Sequence, residues 1–177
     1  KSAHKTPVSL FEEAVTAANK AVFEESASHV EYEGMGTTVV ACTLEENTLY
    51  IANIGDSRLY LIRDGIEQIT DDHSLVEEMV KQGNITESEA RIHPQKNIIT
   101  RALGINEEVQ ADFFEIDVEQ GDVIMLCSDG LSNMIEDEDM EYIVKNSDTL
   151  QTAAESLVAR ANENGGNDNI TVVLAEV

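Results

Sequence analysis

Apolar residues first recur at helical spacing at Phe11, Ala14, Val15, Ala18 and Val22. This predicts a helix over about 9–26, opened by the capping box Ser9-Leu10-Phe11-Glu12. Gly34-Met35-Gly36 interrupts the pattern, and strand character follows over 37–43, 48–54, 59–62 and 66–69. Turn residues separate these runs at Glu45-Glu46-Asn47, Gly55-Asp56 and Arg63-Asp64-Gly65, so the segment reads as an antiparallel meander. Residues 71–103 lie between strand patterns. They carry two short helices with capping boxes at Ser74–Glu77 and Thr86–Glu89, the second stopped by Pro94. Strands return over 111–116 and in the uninterrupted apolar run Val123-Ile124-Met125-Leu126-Cys127. Helices follow over 137–145 and 149–161, the latter with Leu150, Ala153, Ala154, Leu157, Val158 and Ala161 on one face. Asn164-Gly165-Gly166 stops it, and a last strand covers 170–175. Antiparallel strands plus helices that need a sheet to cover predict an α+β fold, without the βαβ alternation of a doubly wound one.

The length of 177 residues fits one domain, 1–177, and the apolar fraction of 42% supports a core. Thirty-five Asp and Glu against eleven Lys and Arg leave a net charge of −24. Such a surface has no basic stripe to displace counterions from phosphates, so nucleic acid and anionic membrane are not expected partners. No apolar run spans a bilayer and no secretory signal is present, which makes the cytoplasm the expected location. Cys42 and Cys127 lie inside strand patterns and read as buried reduced thiols. Lys1-Ser2-Ala3-His4-Lys5-Thr6 has neither an initiator Met nor targeting character, so the chain reads as a fragment of something longer.

The candidate chemistry lies where apolar strands end in aspartate. Asp129 follows a buried-strand run and precedes Gly130, which permits close backbone approach to a ligand. Asp168 stands between Asn167 and Asn169 before the last strand. Taken alone, each is more readily a turn residue than a ligand. Together, as oxygen donors without a matching His/Cys cluster, they point to Mg²⁺ or Mn²⁺ over Zn²⁺. Asp56, in Ala52-Asn53-Ile54-Gly55-Asp56-Ser57-Arg58, is a third candidate.

Other chemistries fail by inspection. Gly55-Asp56-Ser57-Arg58-Leu59 lacks the closing Gly of a nucleophile elbow. Cys127 lacks the Arg that a cysteine-phosphatase loop needs at position 133, where Asn133 stands. No Walker loop or zincin motif is present. Gly34-Met35-Gly36 has Val39 in place of a third glycine and precedes a strand, so it is no dinucleotide fingerprint. His93 reads as a helix-end residue facing solvent, His73 as a cap for the helix beginning near 74, and Glu136-Asp137-Glu138-Asp139 as a solvated helix start.

Seven motifs in order carry a family resemblance. They are Gly34-Met35-Gly36-Thr37-Thr38, Ala52 to Arg58, Asp72-His73-Ser74-Leu75-Val76, His93-Pro94-Gln95-Lys96-Asn97, Thr100-Arg101-Ala102-Leu103-Gly104, Ser128-Asp129-Gly130-Leu131 and Gly166-Asn167-Asp168-Asn169-Ile170-Thr171. The chain resembles the metal-dependent Ser/Thr protein phosphatases of the 2C type in their compact bacterial form, over essentially its whole length. The resemblance implies a central antiparallel β-sandwich flanked by helices on both sides, with two Mn²⁺ or Mg²⁺ ions at one end. Asp129 and Asp168 match ligands of the first ion. Asp56 matches the aspartate that, with Asp129, holds a third and weaker ion, and 72–103 matches the flap beside the site.

The resemblance also implies hydrolysis of phosphoserine and phosphothreonine on proteins, a cognate Ser/Thr kinase and a monomeric enzyme. One departure matters. The family domain begins with an Arg and an acidic Asn-(Glu/Asp)-Asp segment, then a strand ending in Asp-Gly-x-Gly-Gly-His, and neither occurs in these 177 residues. The bridging carboxylate, the phosphate-binding Arg and the expected general acid belong to that part, so no catalytic residue is assigned here. The N-terminal strands of the sandwich are expected to be missing, and the chain alone is expected to be impaired. The alternative is a non-catalytic 2C-like interaction domain or pseudophosphatase.

Overall fold

The computed structural model describes residues 5–177, so Lys1–His4 of the N-terminal stretch read above lie outside the described residues. The chain divides into two compact units. The first comprises residues up to Gly55 together with Asp72–Asp117, and the second Asp56–Asp71 with Val118–Val177.

The first unit opens with helix α1 (Pro7–Ser28). Its cap is Thr6, whose hydroxyl accepts the Ser9 N–H at 3.3 Å, with Pro7 at the first helical position. The expected cap at Ser9 is therefore corrected. Proline is pre-set for the start of a helix and lacks the N–H that would be orphaned there, so the helix begins earlier. Strands β1 (Val39–Glu45) and β2 (Thr48–Ile54) pair antiparallel, Ala41 opposite Ala52. β2 pairs on its other side with β5 (Asp112–Asp117), Ile51 opposite Phe114. Between them in sequence lie helices α2 (Leu75–Lys81) and α3 (Glu87–Arg91). Ser74 caps α2 and Thr86 forms a complete capping box on α3. Val15, Ile54 and Leu103 form one buried apolar cluster of this unit. Buried Asn19 fastens α1 to the loop before β5: its amide donates to the Asn106 and Glu107 carbonyls and accepts the Gly104 N–H.

The second unit holds strands β3 (Arg58–Ile62), β4 (Ile66–Gln68), β6 (Val123–Cys127) and β7 (Val172–Glu176), all antiparallel in the order β4-β3-β6-β7. Helices α4 (Asp129–Ser132), α5 (Asp137–Lys145) and α6 (Leu150–Glu163) complete it. Tyr60, Met125, Leu131, Met140, Leu157 and Ala161 make its core, and the buried face of α6 (Ala153, Leu157, Ala161) lies on the predicted apolar stripe.

The chain has the predicted α+β character with antiparallel sheets. The single meander is corrected: β2 and β3, consecutive in sequence, belong to different sheets. The switch occurs at Gly55, whose φ of +102° is a conformation few side chains tolerate. A methyl group there would also sit 2.7 Å from Thr38 Cβ and closer still to its Cγ2. Gly55→Ala is therefore expected to lower stability by about 1–3 kcal/mol, measurable by denaturant unfolding. An unchanged midpoint would show that the switch has no conformational requirement.

At the hairpin end of β3, Arg63 forks onto Asp122, Nε donating to Oδ1 at 2.8 Å and Nη2 to Oδ2 at 2.7 Å. The Glu119 N–H also donates to Oδ2, and Asp122 is buried. The Arg63 hydrogen bonds hold the Asp122 carboxyl below its ordinary value of 3.8, against the opposing effect of burial. A carboxyl depressed on folding stabilises fully above its unfolded pKa and ceases to do so as pH falls through the folded one. Melting temperature is accordingly expected to fall below about pH 4 in the native chain, with a shallower acid limb in Asp122→Asn. Parallel limbs would contradict this assignment.

Candidate metal centre

Asp56, Asp129 and Asp168 all belong to the second unit, and strand register brings them to one end of its sheet. Arg58 pairs with Cys127 as the last pair of the two strands, so Asp56, two residues before β3, and Asp129, two residues past β6, adjoin the same end of the sheet. Cys127 also pairs with Val172, and Asp168 lies in the loop that leads into that strand.

Ser128 joins the loops of Asp129 and Asp168. Its N–H donates to the Thr171 carbonyl at 3.1 Å and its hydroxyl to the Asn169 carbonyl at 3.1 Å, while the Thr171 N–H donates to that hydroxyl at 3.0 Å. Gly130 is buried against the Asp168–Asn169 backbone, where a methyl would lie 3.0 Å from the Asn169 carbonyl carbon. Only glycine allows that approach. Asp129 is the first residue of α4, and Asn133, one turn on, donates from Nδ2 to Asp129 Oδ2 at 3.2 Å. The Asp168 carboxylate is exposed and its Oδ1 accepts the Asn169 N–H at 2.7 Å. Gly165 and Gly166, with φ of +130° and +52°, let α6 turn sharply into this loop.

The donor set suits a hard divalent ion: carboxylate oxygens, half-buried at Asp56 and Asp129 and open at Asp168, on loops tied to strand ends. It does not make a full cage. Among the described residues no three His, Cys, Asp or Glu side chains converge closely enough to hold a metal. Nucleophilic alternatives stay weak. Cys127 is buried, and burial raises the Cys42 thiol pKa, which disfavours its thiolate. Half-buried His93 accepts the Gln95 N–H in a local turn rather than facing solvent outright.

Sequence reasoning missed a polar cluster in the first unit. His73 is 5% exposed and is not the cap of α2; Ser74 is. The His73 N–H donates to the Gly55 carbonyl at 2.9 Å, and the Gly55 N–H donates to His73 Nδ1 at 3.1 Å. With Nδ1 accepting, the ring proton sits on Nε2 and is donated to Asp112 Oδ2 at 3.0 Å. Arg101 Nη1 donates to Asp112 Oδ1 at 2.7 Å. Burial raises the Asp112 pKa, but hydrogen bonds from His73 and Arg101 outweigh it and hold the carboxyl below its ordinary value. His73, Arg101 and Asp112 come from three separate stretches of the first unit, so no local period announces them.

The protein phosphatase 2C profile matches residues 3–175. The chain belongs to the protein phosphatase 2C family. It is 44% identical over 159 residues to the serine/threonine phosphatase stp of Listeria monocytogenes, covering 89% of this chain and 63% of that protein. Among solved structures it resembles the serine/threonine phosphatase Stp1 of Staphylococcus aureus, with a TM-score of 0.94, 35% identity and coverage of 97% of this chain and 68% of that one. The catalytic domain of the serine threonine protein phosphatase PstP, solved in complex with 2 manganese ions, matches with a TM-score of 0.87 at 36% identity, over 99% of this chain and 73% of that one. The 2C chain described here thus spans about 63% of the length of the curated relatives first matched.

Proposed function

We propose that this 2C chain serves the metal-dependent hydrolysis of phosphoserine and phosphothreonine on proteins. The observation that carries the reading is the Ser128 junction, which holds the loops of Asp129 and Asp168 together at one end of the β6–β7 pair. Asp129 and Asp168 would hold one Mn²⁺ or Mg²⁺, and Asp56 with Asp129 a third, weaker ion beside the two core ones. When bound, such ions lower the pKa of a water to make a nucleophile near neutral pH and stabilise phosphoryl oxygens.

The chain's own residues hold the geometry. Asn133 orients the Asp129 carboxylate, Gly130 admits the neighbouring backbone, and Ser128 closes the two loops on each other. No nucleophilic side chain is needed, in keeping with buried Cys127. We further read residues 1–177 as a single phosphatase domain with a flap at 72–103, a monomer working in the cytoplasm opposite a Ser/Thr kinase. Among the described residues no helix is long and apolar enough to cross a membrane.

The 177 residues contain no Asp-Gly-x-Gly-Gly-His sequence and hence no second carboxylate source of that kind. By itself the chain is expected to hydrolyse p-nitrophenyl phosphate weakly or not at all with Mn²⁺. Fused to a segment that carries the motif, it is expected to release phosphate from a phosphothreonine peptide, and EDTA should abolish the release. A folded, Mn²⁺-binding but inactive fusion would instead establish a non-catalytic 2C domain. Robust turnover by the 177-residue chain would refute the need for the added carboxylate.

A further inference from the structure

We infer that His73 is a positioning residue for Asp56, acting through the backbone of Gly55; the inference rests on the metal-site reading above. Gly55, His73, Thr100, Arg101 and Asp112 all lie within the first unit, and Asp56 is the next residue after Gly55 along the chain. Gly55 is gripped on both its polar groups by one residue: His73 Nδ1 accepts its N–H and the His73 N–H donates to its carbonyl. The N–H belongs to the peptide before Gly55 and the carbonyl to the peptide that leads into Asp56, so the pair together sets both backbone torsions of Gly55 and hence the direction in which the chain leaves for Asp56.

The ring that makes the grip is itself fixed. Asp112 receives Nε2–H on one carboxylate oxygen and Arg101 on the other, and the Thr100 N–H donates to the His73 carbonyl at 2.8 Å. Asp112 stands opposite Asn53, two residues before Gly55, so the clamp is anchored on the strand that neighbours β2. A histidine held only to fill space would not need a defined tautomer, yet here one nitrogen must accept and the other must donate. Outer partners of this sort commonly set ligand orientation, and losing one weakens metal binding by about 10–100-fold.

The test uses the 177-residue chain, Mn²⁺ alone as probe, and paramagnetic broadening of assigned amide resonances. In the native chain, Mn²⁺ is expected to broaden both Ser57, beside Asp56, and Asn169, beside Asp168. His73→Asn places an amide oxygen near the Nδ1 position and keeps the acceptor for Gly55. His73→Gln reaches instead toward Asp112 and leaves Gly55 without it. The Gln variant is expected to need about tenfold more Mn²⁺ to broaden Ser57, with Asn169 unchanged, and the Asn variant less than about threefold more. Equal behaviour of the two variants at Ser57, whether both native-like or both impaired, overturns the inference.

Absence of broadening at both positions in the native chain overturns the metal-site reading and this inference with it. Native broadening at Asn169 and Ser57 with an unaffected Gln variant overturns this inference alone. Should the Gln variant fail to fold, Asp112→Asn carries the test. It leaves His73 in place without the carboxylate that fixes its ring, and an unchanged Ser57 response would overturn the assignment.

Discussion

Asp129→Ala is expected to lower Mn²⁺-dependent turnover of the fusion by about 10³-fold or more, since the electrostatic work asked of a bound ion amounts to several kcal/mol. The expectation follows from placement. Asp129 follows the strand end at Cys127, is half-buried, and lies in a loop tied to that of Asp168 through Ser128. Asp129→Asn separates charge from orientation, because an amide oxygen can still accept from Asn133, which now donates to Oδ2. The Asn variant should be folded and nearly as inactive as the Ala variant. Activity within tenfold of native in either would remove Asp129 from the metal site.

Gly130→Ala is expected to damage the site without touching a ligand. The added methyl would meet the Asn169 carbonyl group, and both offending atoms are backbone, which cannot swing aside as a side chain would. The Asp129 and Asp168 loops must then separate, straining the Ser128 hydrogen bonds between them. Mn²⁺ affinity of the fusion should fall by about tenfold or more, and stability by about 1–3 kcal/mol as for other overpacking changes. Gly65→Ala is the control, because a methyl at that hairpin turn meets nothing within 4 Å. If the two variants bind Mn²⁺ alike, the close approach at Gly130 has no role in the site.

What the sequence made legible was local. The apolar run of β6 and the acidic start of α5 have the predicted bounds, since strand alternation, length and first-turn acids are properties of neighbouring residues. β2 was equally plain, but its partner was not: the turn at Gly55-Asp56 is visible, whereas the choice of β5 over β3 is made far along the chain. Helix α4 is four residues long, too short to show a period, so Asp129 looked like a turn residue when it opens a helix. His73 was misread for a related reason. Its neighbour Ser74 carries the local signal of a cap, and the partners that define the His73 ring, Gly55 and Asp112, lie 18 and 39 residues away. The three aspartates stand out as candidates because each ends or precedes an apolar strand, a signal that survives without knowing the pairing.

The central claim is that Asp129 and Asp168 serve one ion. Mn²⁺ affinity of the fusion, measured by isothermal titration for the native protein, Asp129→Ala, Asp168→Ala and the double variant, tests it most directly. Two ligands of one ion are coupled, so the double variant should lose little more than either single variant. Losses that add, or single variants that bind as the native protein does, would show that the two carboxylates do not share a metal.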